Sequence, residues 1–564
     1  MNTFTDYLDK ITIGENSALC HTTTNNPNLD LFFKLVRNID ENELFSLMNE
    51  IIITNNCQYI VELFVLCFQS RNCRGGKGER KLSYNILLYL YHIFPLTVKS
   101  IIHLYKDYGY WKDLINLLNF KKTFNINEKE LVETIITIYS TQLKEDKIKM
   151  DINDKSISLA AKWAPRENHH FYKYNRNIYN QLLLAIFPEL NYNDRYKSYR
   201  QLISSLNTFL NTTEVAMCNG NWSQINYSNV PSLNLNKWRK AHLNELLDNP
   251  TFTSKSCKLG LKFKFVPCTF NENINGNRYP DNEDRVNARK HLLETIRNPK
   301  KSISGKQLMP HEIINVYLKK NFISDSEKEL LQAQWNSLKS TVISKGRKVI
   351  PLSDVSGSMK GLPMEVSIAL GILLSEVTHD AFKNRIITFH DNPKWINLSN
   401  CTSLEEKVHI LKKSDWGGST NIEKVFDLIL DIVKKNNLSS EDIPDLVIFS
   451  DMQFNDAINN NNNTPLQIVQ DKFKSNGFVC PRIIFWNLRA SIGFPTTENS
   501  SNVIMLSGFS QSLLKFILED EIISAPTPLD IYLSVINDKL YDPIRVILND
   551  SNEGILANYI FTNE

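Results

Sequence analysis

Three short polar clusters hold the residues best suited to chemistry in this chain. Asp354-Val355-Ser356-Gly357-Ser358 follows the apolar run VIPLS, Gly417-Gly418-Ser419-Thr420 precedes an amphipathic stretch, and Ser450-Asp451 follows LVIF. Asp354, Ser356, Ser358, Thr420 and Asp451 offer two carboxylates and three hydroxyls, all hard oxygen donors. Such a set suits Mg²⁺ or Mn²⁺ in octahedral geometry. Alternate positions 354, 356 and 358 can point one way as a strand opens into a loop, and Gly357 bends without steric cost. A cation between Asp354 and Asp451 would offset their repulsion and keep affinity for an acidic group or phosphate oxygen of a partner. Each cluster alone also fits a plain helix cap or strand-end turn, where Ser, Asp and Gly are common. The occurrence of all three, in order, at strand and helix ends favours one shared cation.

A second group is Arg71, Arg74, Lys77, Arg80 and Lys81 around the Gly-rich segment RGGKG. A nest of backbone N–H groups with Arg71, Arg74, Lys77 and Arg80 beside it could hold a phosphate or RNA backbone. The Walker A spacing is absent. The preferred reading is an interhelical turn whose arginines pair with carboxylates. Tyr108, Tyr110 and Trp111, next to Lys112, could stack on bases, but at helical spacing they are expected in the core, as are Trp163 and Trp335. His169 and His170 are adjacent, a poor spacing for one metal, and His311 and His390 are expected to make local hydrogen bonds. HExxH, GxSxG and zinc-spaced Cys/His sets are absent, so no catalytic set emerges.

These residues must be positioned by two kinds of element. Residues 28–145 and 155–213 read as amphipathic helices such as LFSLMNEIII, IVELFVLCFQS and LSYNILLYLYHIF. Stacked helix pairs are the expected way to bury so many apolar faces. The stretch 215–305 is polar and loop-rich, with Lys or Arg at 237, 239, 240, 255, 258, 262 and 264, and 310–340 returns to helix. From 348 the pattern changes to strands (KVIPLSD, NRIITFHD, DLVIFSD, RIIFWNL, NVIMLSG) alternating with helices at 363–378, 403–413, 421–435, 465–476 and 510–519. That alternation predicts a mostly parallel sheet covered on both faces, with KWINL as a short antiparallel edge. The expected fold is α plus α/β: an all-α, helical-repeat-like domain over 1–340, then a doubly wound, Rossmann-like α/β domain over 341–564.

Composition narrows the class. At 564 residues, 42% hydrophobic and 22% charged, the chain is globular, and a net charge of +3 argues for no particular partner. Nine cysteines without a CxxC pair suggest reduced thiols. No run of about 18 apolar residues suggests a membrane span, and the first residues lack a signal-peptide pattern. A cytoplasmic location (host cytoplasm or virion, if viral) is therefore expected.

The pattern DxSxS, then Thr, then Asp resembles the metal-ion-dependent adhesion site of von Willebrand factor A (vWA) domains. The resemblance implies Ser356 and Ser358 as direct ligands, Thr420 as a state-dependent one, and Asp354 and Asp451 as ligands directly or through water. DVSGSM, IITFHDNP, DWGGSTNIEKVFDLIL and VIFSDMQF, with RNCRGGKGER, YGYWKDLINLL, AAKWAP and LMPHEI upstream, are similar to the domain of unknown function 2828 family across nearly the whole chain. With the Asn, Ile and Lys bias, a giant-virus, mimivirus-type member is implied. The domain order is distantly similar to the Ro autoantigen (TROVE) proteins, which bind RNA. The implied function is non-enzymatic: a scaffold that grips an acidic group of a protein or ribonucleoprotein, with RNA as a further candidate ligand of the helical part and no membrane partner. The alternatives are a metal-dependent phosphoryl-transfer or hydrolytic enzyme, with Asp415 or Asp451 as base, and a structural virion protein.

Overall fold

The computed structural model describes residues 10–120, 126–167, 172, 175–245, 277–320, 322–389, 393–413, 422–455, 463–518 and 525–550. Thr420 with its Gly417–Ser419 neighbours, Asp415, His169, His170, His390 and the basic positions 255–264 lie outside them.

Residues up to 340 are mainly helical. The principal early helices are α1 (Pro27–Lys34), α2 (Glu41–Ile53), α3 (Cys57–Arg71) and α4 (Arg80–Ile93). Asn26, Asp40 and Asn56 cap α1, α2 and α3, each side chain accepting from the first free backbone N–H groups. Helix α3 is buried all round, as expected for a helix at the centre of a bundle. A two-stranded hairpin, β1 (Ile11–Ile13) and β2 (Leu19–His21), precedes α1. Three-residue strands carry too little alternation to be read from sequence, and none was expected there.

The second half forms the expected sheet. Strands β3 (Val349–Asp354), β4 (Arg385–Phe389), β5 (Lys394–Asn397), β6 (Asp445–Ser450), β7 (Ile483–Asn487) and β8 (Val503–Ser507) lie in the order β5-β4-β3-β6-β7-β8. Only β5 is antiparallel, and it is the edge strand KWIN. Side chains alternate between two cores. Leu446, Ile448, Ile483, Phe485, Val503 and Met505 face one, beneath helices Ile422–Lys435 and Pro465–Ser475. Val447, Phe449, Ile484, Trp486, Ile504 and Leu506 face the other. Helix Leu362–Val377 crosses β3 closely: a Cβ on Gly371 would lie 2.2 Å from Ser353 Oγ.

The second core does not stop at the sheet. It runs without a break into α1, α2, α3, α4 and further N-terminal helices, whereas Trp222, Tyr227, Leu243, Leu292 and Leu330 belong to a small core of their own. The chain therefore changes element type near residue 340, while its packing is continuous across that point. Helix Pro528–Ile536 returns to α3, where Tyr532 donates to Glu62 at 2.8 Å, and Tyr541 stacks on Tyr108 at 5.6 Å between ring centres. Among the described residues, no helix is long and apolar enough to cross a membrane.

Candidate metal centre

Strands β3 and β6 are neighbours, yet the chain leaves β3 towards β4 on one side and β6 towards β7 on the other. In an open parallel sheet the crevice for a ligand forms at such a switch point, beyond the strands' carboxyl ends. Asp354 ends β3 and Ser450 ends β6. Ser353 pairs in register with Phe449, so Asp354 and Ser450 come next on the two strands.

The side chains converge there. Asp354 is fully buried, accepts from the Ser356 backbone N–H at 2.9 Å through Oδ1, and takes the Ser450 hydroxyl on Oδ2. Ser356 Oγ lies 3.2 Å from Ser358 Oγ. Adjacent ligands of an octahedral Mg²⁺ at about 2.1 Å are roughly 3 Å apart, so the two hydroxyls have the spacing of neighbouring vertices. Asp451 is also fully buried; Oδ1 accepts from the Gln453 N–H and Oδ2 from Arg489 Nη1, each at 3.3 Å. Met452, the next residue, has φ +63°, a left-handed backbone uncommon outside glycine and frequent at functional sites.

The Asp354 carboxyl is pushed up to about 7, first by burial and then by the Asp451 charge; hydrogen bonds from Ser356 and Ser450 only partly counter this. The local Asx-type turn accounts for one oxygen of Asp354. It gives no reason to bury a second carboxylate close enough to raise the first. The chain itself places one cation there, Arg489 against Asp451, and the remaining carboxylate and hydroxyl oxygens are hard donors of the kind that suit Mg²⁺ or Mn²⁺. Among the described residues, no three His, Cys, Asp or Glu side chains gather as a metal-binding group; the set here is two carboxylates with hydroxyls.

Of the five residues expected from sequence, Asp354, Ser356, Ser358 and Asp451 come together beyond the carboxyl ends of the central strands β3 and β6, with Ser358 exposed and the others buried. Ser450, read from sequence with Asp451 as one cluster, donates to Asp354, and two neighbours were missed. Arg489 follows a strand end and was open to the same rule that found Asp451. Glu15, whose Oε2 is 3.3 Å from Arg489 Nη1, comes from the β1–β2 turn and carries no sequence signal.

The Gly-rich loop takes the opposite course. Lys77 is fully buried, donating to the Phe32 and Leu35 carbonyls at 2.6 and 3.0 Å and to Ser507 Oγ. Burial drives its ammonium well below the usual lysine range. Arg71 is buried against Asp113 at 2.7 Å. Both therefore leave the candidate phosphate or RNA set: their side chains are tied into the interior, while Arg74, Arg80 and the neighbouring Lys81 face solvent. Gly76 is needed for packing, because a Cβ would meet the Gln69 carbonyl at 2.1 Å. Tyr108, Trp111 and Trp335 are core residues, and the buried His311 packs on Phe509.

Two different family models match these two regions of the chain. Residues 14–129 and 121–253 match Domain of unknown function (DUF2828), and residues 348–539, which carry the sheet and the polar centre, match Domain of unknown function (DUF7788). The resemblance expected over nearly the whole chain is thus divided between two family models. The chain is also similar to an uncharacterized protein of Acanthamoeba polyphaga mimivirus, 29% identical over 566 residues, covering 98% of this chain and 91% of that relative. The expected kinship with giant-virus proteins is met.

Proposed function

We propose that this is a binding protein whose vWA-like C-terminal half holds Mg²⁺ or Mn²⁺ beyond the carboxyl ends of β3 and β6 and uses it to grip an acidic group on a protein or ribonucleoprotein partner. The observation that carries the reading is the pair of buried carboxylates at the β3/β6 switch point, with Asp354 raised to about 7 beside Asp451. Asp354, Ser356, Ser358 and Asp451 would hold the cation, with Thr420 completing the motif. The cation would supply Lewis acidity towards an anionic ligand. Two protein carboxylates leave it electrophilic enough to accept another. Calorimetric titration of the full chain with Mg²⁺ and Mn²⁺ tests the reading. Saturable binding lost in Asp354→Ala is expected, and equal heats in both proteins would remove it.

RNA binding by the helical half rests on a different place from the Gly-rich loop. The Lys112 ammonium is disfavoured by burial and then by the charges of Arg80 and Lys237. Lys112 and Lys162 each sit 5.5 Å from the Trp163 ring, and the half-exposed Trp238 lies 4.9 Å from Lys237. Cations interleaved with aromatics suit single-stranded nucleic acid. Retention of oligo-RNA should fall steeply between about 50 and 200 mM salt and weaken in Lys112→Ala. A salt-independent signal would point to some other contact.

A further inference from the structure

Two separately packed cores meet at the basic surface of the N-terminal half, and a line of polar contacts joins them there. Trp163 packs against the large core, while Leu235 and Leu243, on either side of Trp238 in the chain, belong to the small one. Lys162, next to Trp163 in the helix Ala160–Trp163, lies 3.0 Å from Oε2 of Glu214, near the start of the helix Thr213–Asn219. Glu214 Oε1 accepts from Asn234 Nδ2 at 3.0 Å, and Asn234 Oδ1 meets His242 Nε2 at 2.9 Å. His242 is buried against the Trp222 and Tyr227 rings of the small core. Glu214 is therefore held by the small core and presented to a lysine of the large one. Burial opposes its charge, but the Lys162 ammonium outweighs that and keeps the carboxyl below its usual range.

The other cations of this surface lack such a partner. Arg80 in α4, Lys112 in the helix Trp111–Asn119 and Lys237 in the helix Ser232–Lys237 are all exposed, and Lys112 feels the charges of the other two. Among the described residues, no carboxylate pairs with any of the three. Asp113, which also acts on Lys112, is itself engaged by Arg71 and Tyr84. Four cations thus share one acid, Glu214, and the surplus suits an anionic ligand. The indole rings of Trp163 and the half-exposed Trp238, set beside lysines, suit nucleobases better than an acidic peptide. Lys112 and Lys162 each lie 5.5 Å from the centre of the same Trp163 ring, so a backbone that reaches the first passes beside the second.

We infer that Glu214 is an internal brake on this nucleic-acid surface: it holds Lys162 away from phosphate, and its release adds a fourth cation to the backbone contact. This rests on the RNA reading above. The Glu214 side chain is 41% exposed, so the pair can open towards solvent. A salt bridge kept only to tie the two cores predicts the opposite sign, because its loss would loosen the surface and weaken binding.

The test uses the full chain and a fluorescent single-stranded oligouridylate of about 12 nucleotides, with poly-glutamate as an acidic polypeptide. Fluorescence anisotropy over a range of salt gives affinity and its salt slope for wild type, Glu214→Gln, Lys162→Ala and the double variant. Glu214→Gln keeps an acceptor for Asn234 and should tighten RNA binding about fivefold at low salt. The slope of log affinity against log salt should steepen by about 0.7, the mark of one further phosphate contact on a single strand. Adding Lys162→Ala should remove both gains. Glu214→Asp, whose carboxylate falls short of Lys162, should shift affinity in the same direction and serves if the Gln variant fails to fold by circular dichroism. If wild type binds RNA and both Glu214 variants are unchanged or weaker, the brake is refuted while RNA binding stands. If wild type retains no oligouridylate at low salt, the RNA reading falls and the brake with it. Poly-glutamate bound as tightly as oligouridylate would overturn the choice of ligand.

Discussion

Two fully buried carboxylates in this protein meet opposite surroundings. Glu327, in the helix Asp325–Lys339, accepts from Arg239 at 2.5 Å, Lys240 at 2.7 Å and Lys320 at 3.0 Å. Although burial disfavours its charge, those cations hold it well below the usual range, at about 2. Asp354 has a second carboxylate for a neighbour and is pushed up to about 7. The Glu327 cluster is compensated by the chain itself, which is what a structural ion network requires. In the Asp354 cluster the chain supplies a cation, Arg489, to Asp451 alone, and Asp354 keeps a carboxylate rather than a cation beside it.

The largest effect should separate the two by substitution. Glu327→Gln takes the shared carboxylate from Arg239, Lys240 and Lys320, of which Lys240 keeps Glu245, and should destabilise the protein by about 3 kcal/mol in urea denaturation. Asp451→Asn keeps the shape, relieves repulsion on Asp354, and should leave the metal-free protein near wild-type stability. The comparison breaks if Asp451→Asn is the more damaging.

A divalent cation should act on one cluster only. At a hundredfold excess over its dissociation constant, Mg²⁺ or Mn²⁺ stabilises a one-site binder by about 2.7 kcal/mol. Denaturation midpoints should show that gain in wild type and Glu327→Gln, and lose it in Asp354→Ala and Asp451→Asn.

The smallest effect sharpens the contrast through pH. Glu327 has a depressed carboxyl, so its contribution is present above about 4.5 and is lost as pH falls towards 2. Asp354 has a raised carboxyl, so its contribution is full below about 3.8 and is lost as pH rises through about 7. In EDTA, stability should decline from pH 5 to 8. Mg²⁺ should flatten that limb and leave the acid limb unchanged. A flat EDTA profile would mean that Asp354 is ionised throughout.

How much of this was readable depended on how local the signal was. The strands VIPLSD, IITF, DLVIFS, IIFWN and VIMLS are β-rich runs whose pattern declares them, and their carboxyl ends point to Asp354 and Asp451. The edge strand KWIN was equally plain. At the Gly-rich loop the preferred reading, arginines paired with carboxylates, agrees with the Arg71–Asp113 pair, whereas the full burial of Arg71 and Lys77 was not expected. Their burial depends on Asp113 and on carbonyls of α1, which no local pattern reveals. Glu15 was invisible for the same reason, being brought to Asp451 by a hairpin with three-residue strands.

By itself, then, the order of residues determined the periodicities: helices first, a parallel sheet later, and hard oxygen donors placed at strand termini. Those are short-range consequences of backbone geometry and side-chain type. Only the tertiary structure decided which charges meet. It paired Arg71 with Asp113, buried Lys77 among carbonyls, merged α1 to α4 and one sheet face into a single core, and set Arg489 between Glu15 and Asp451. Electrostatic partnership depends on distance in space and on exclusion of water, and residues far apart in the chain acquire both only when the whole molecule closes around them.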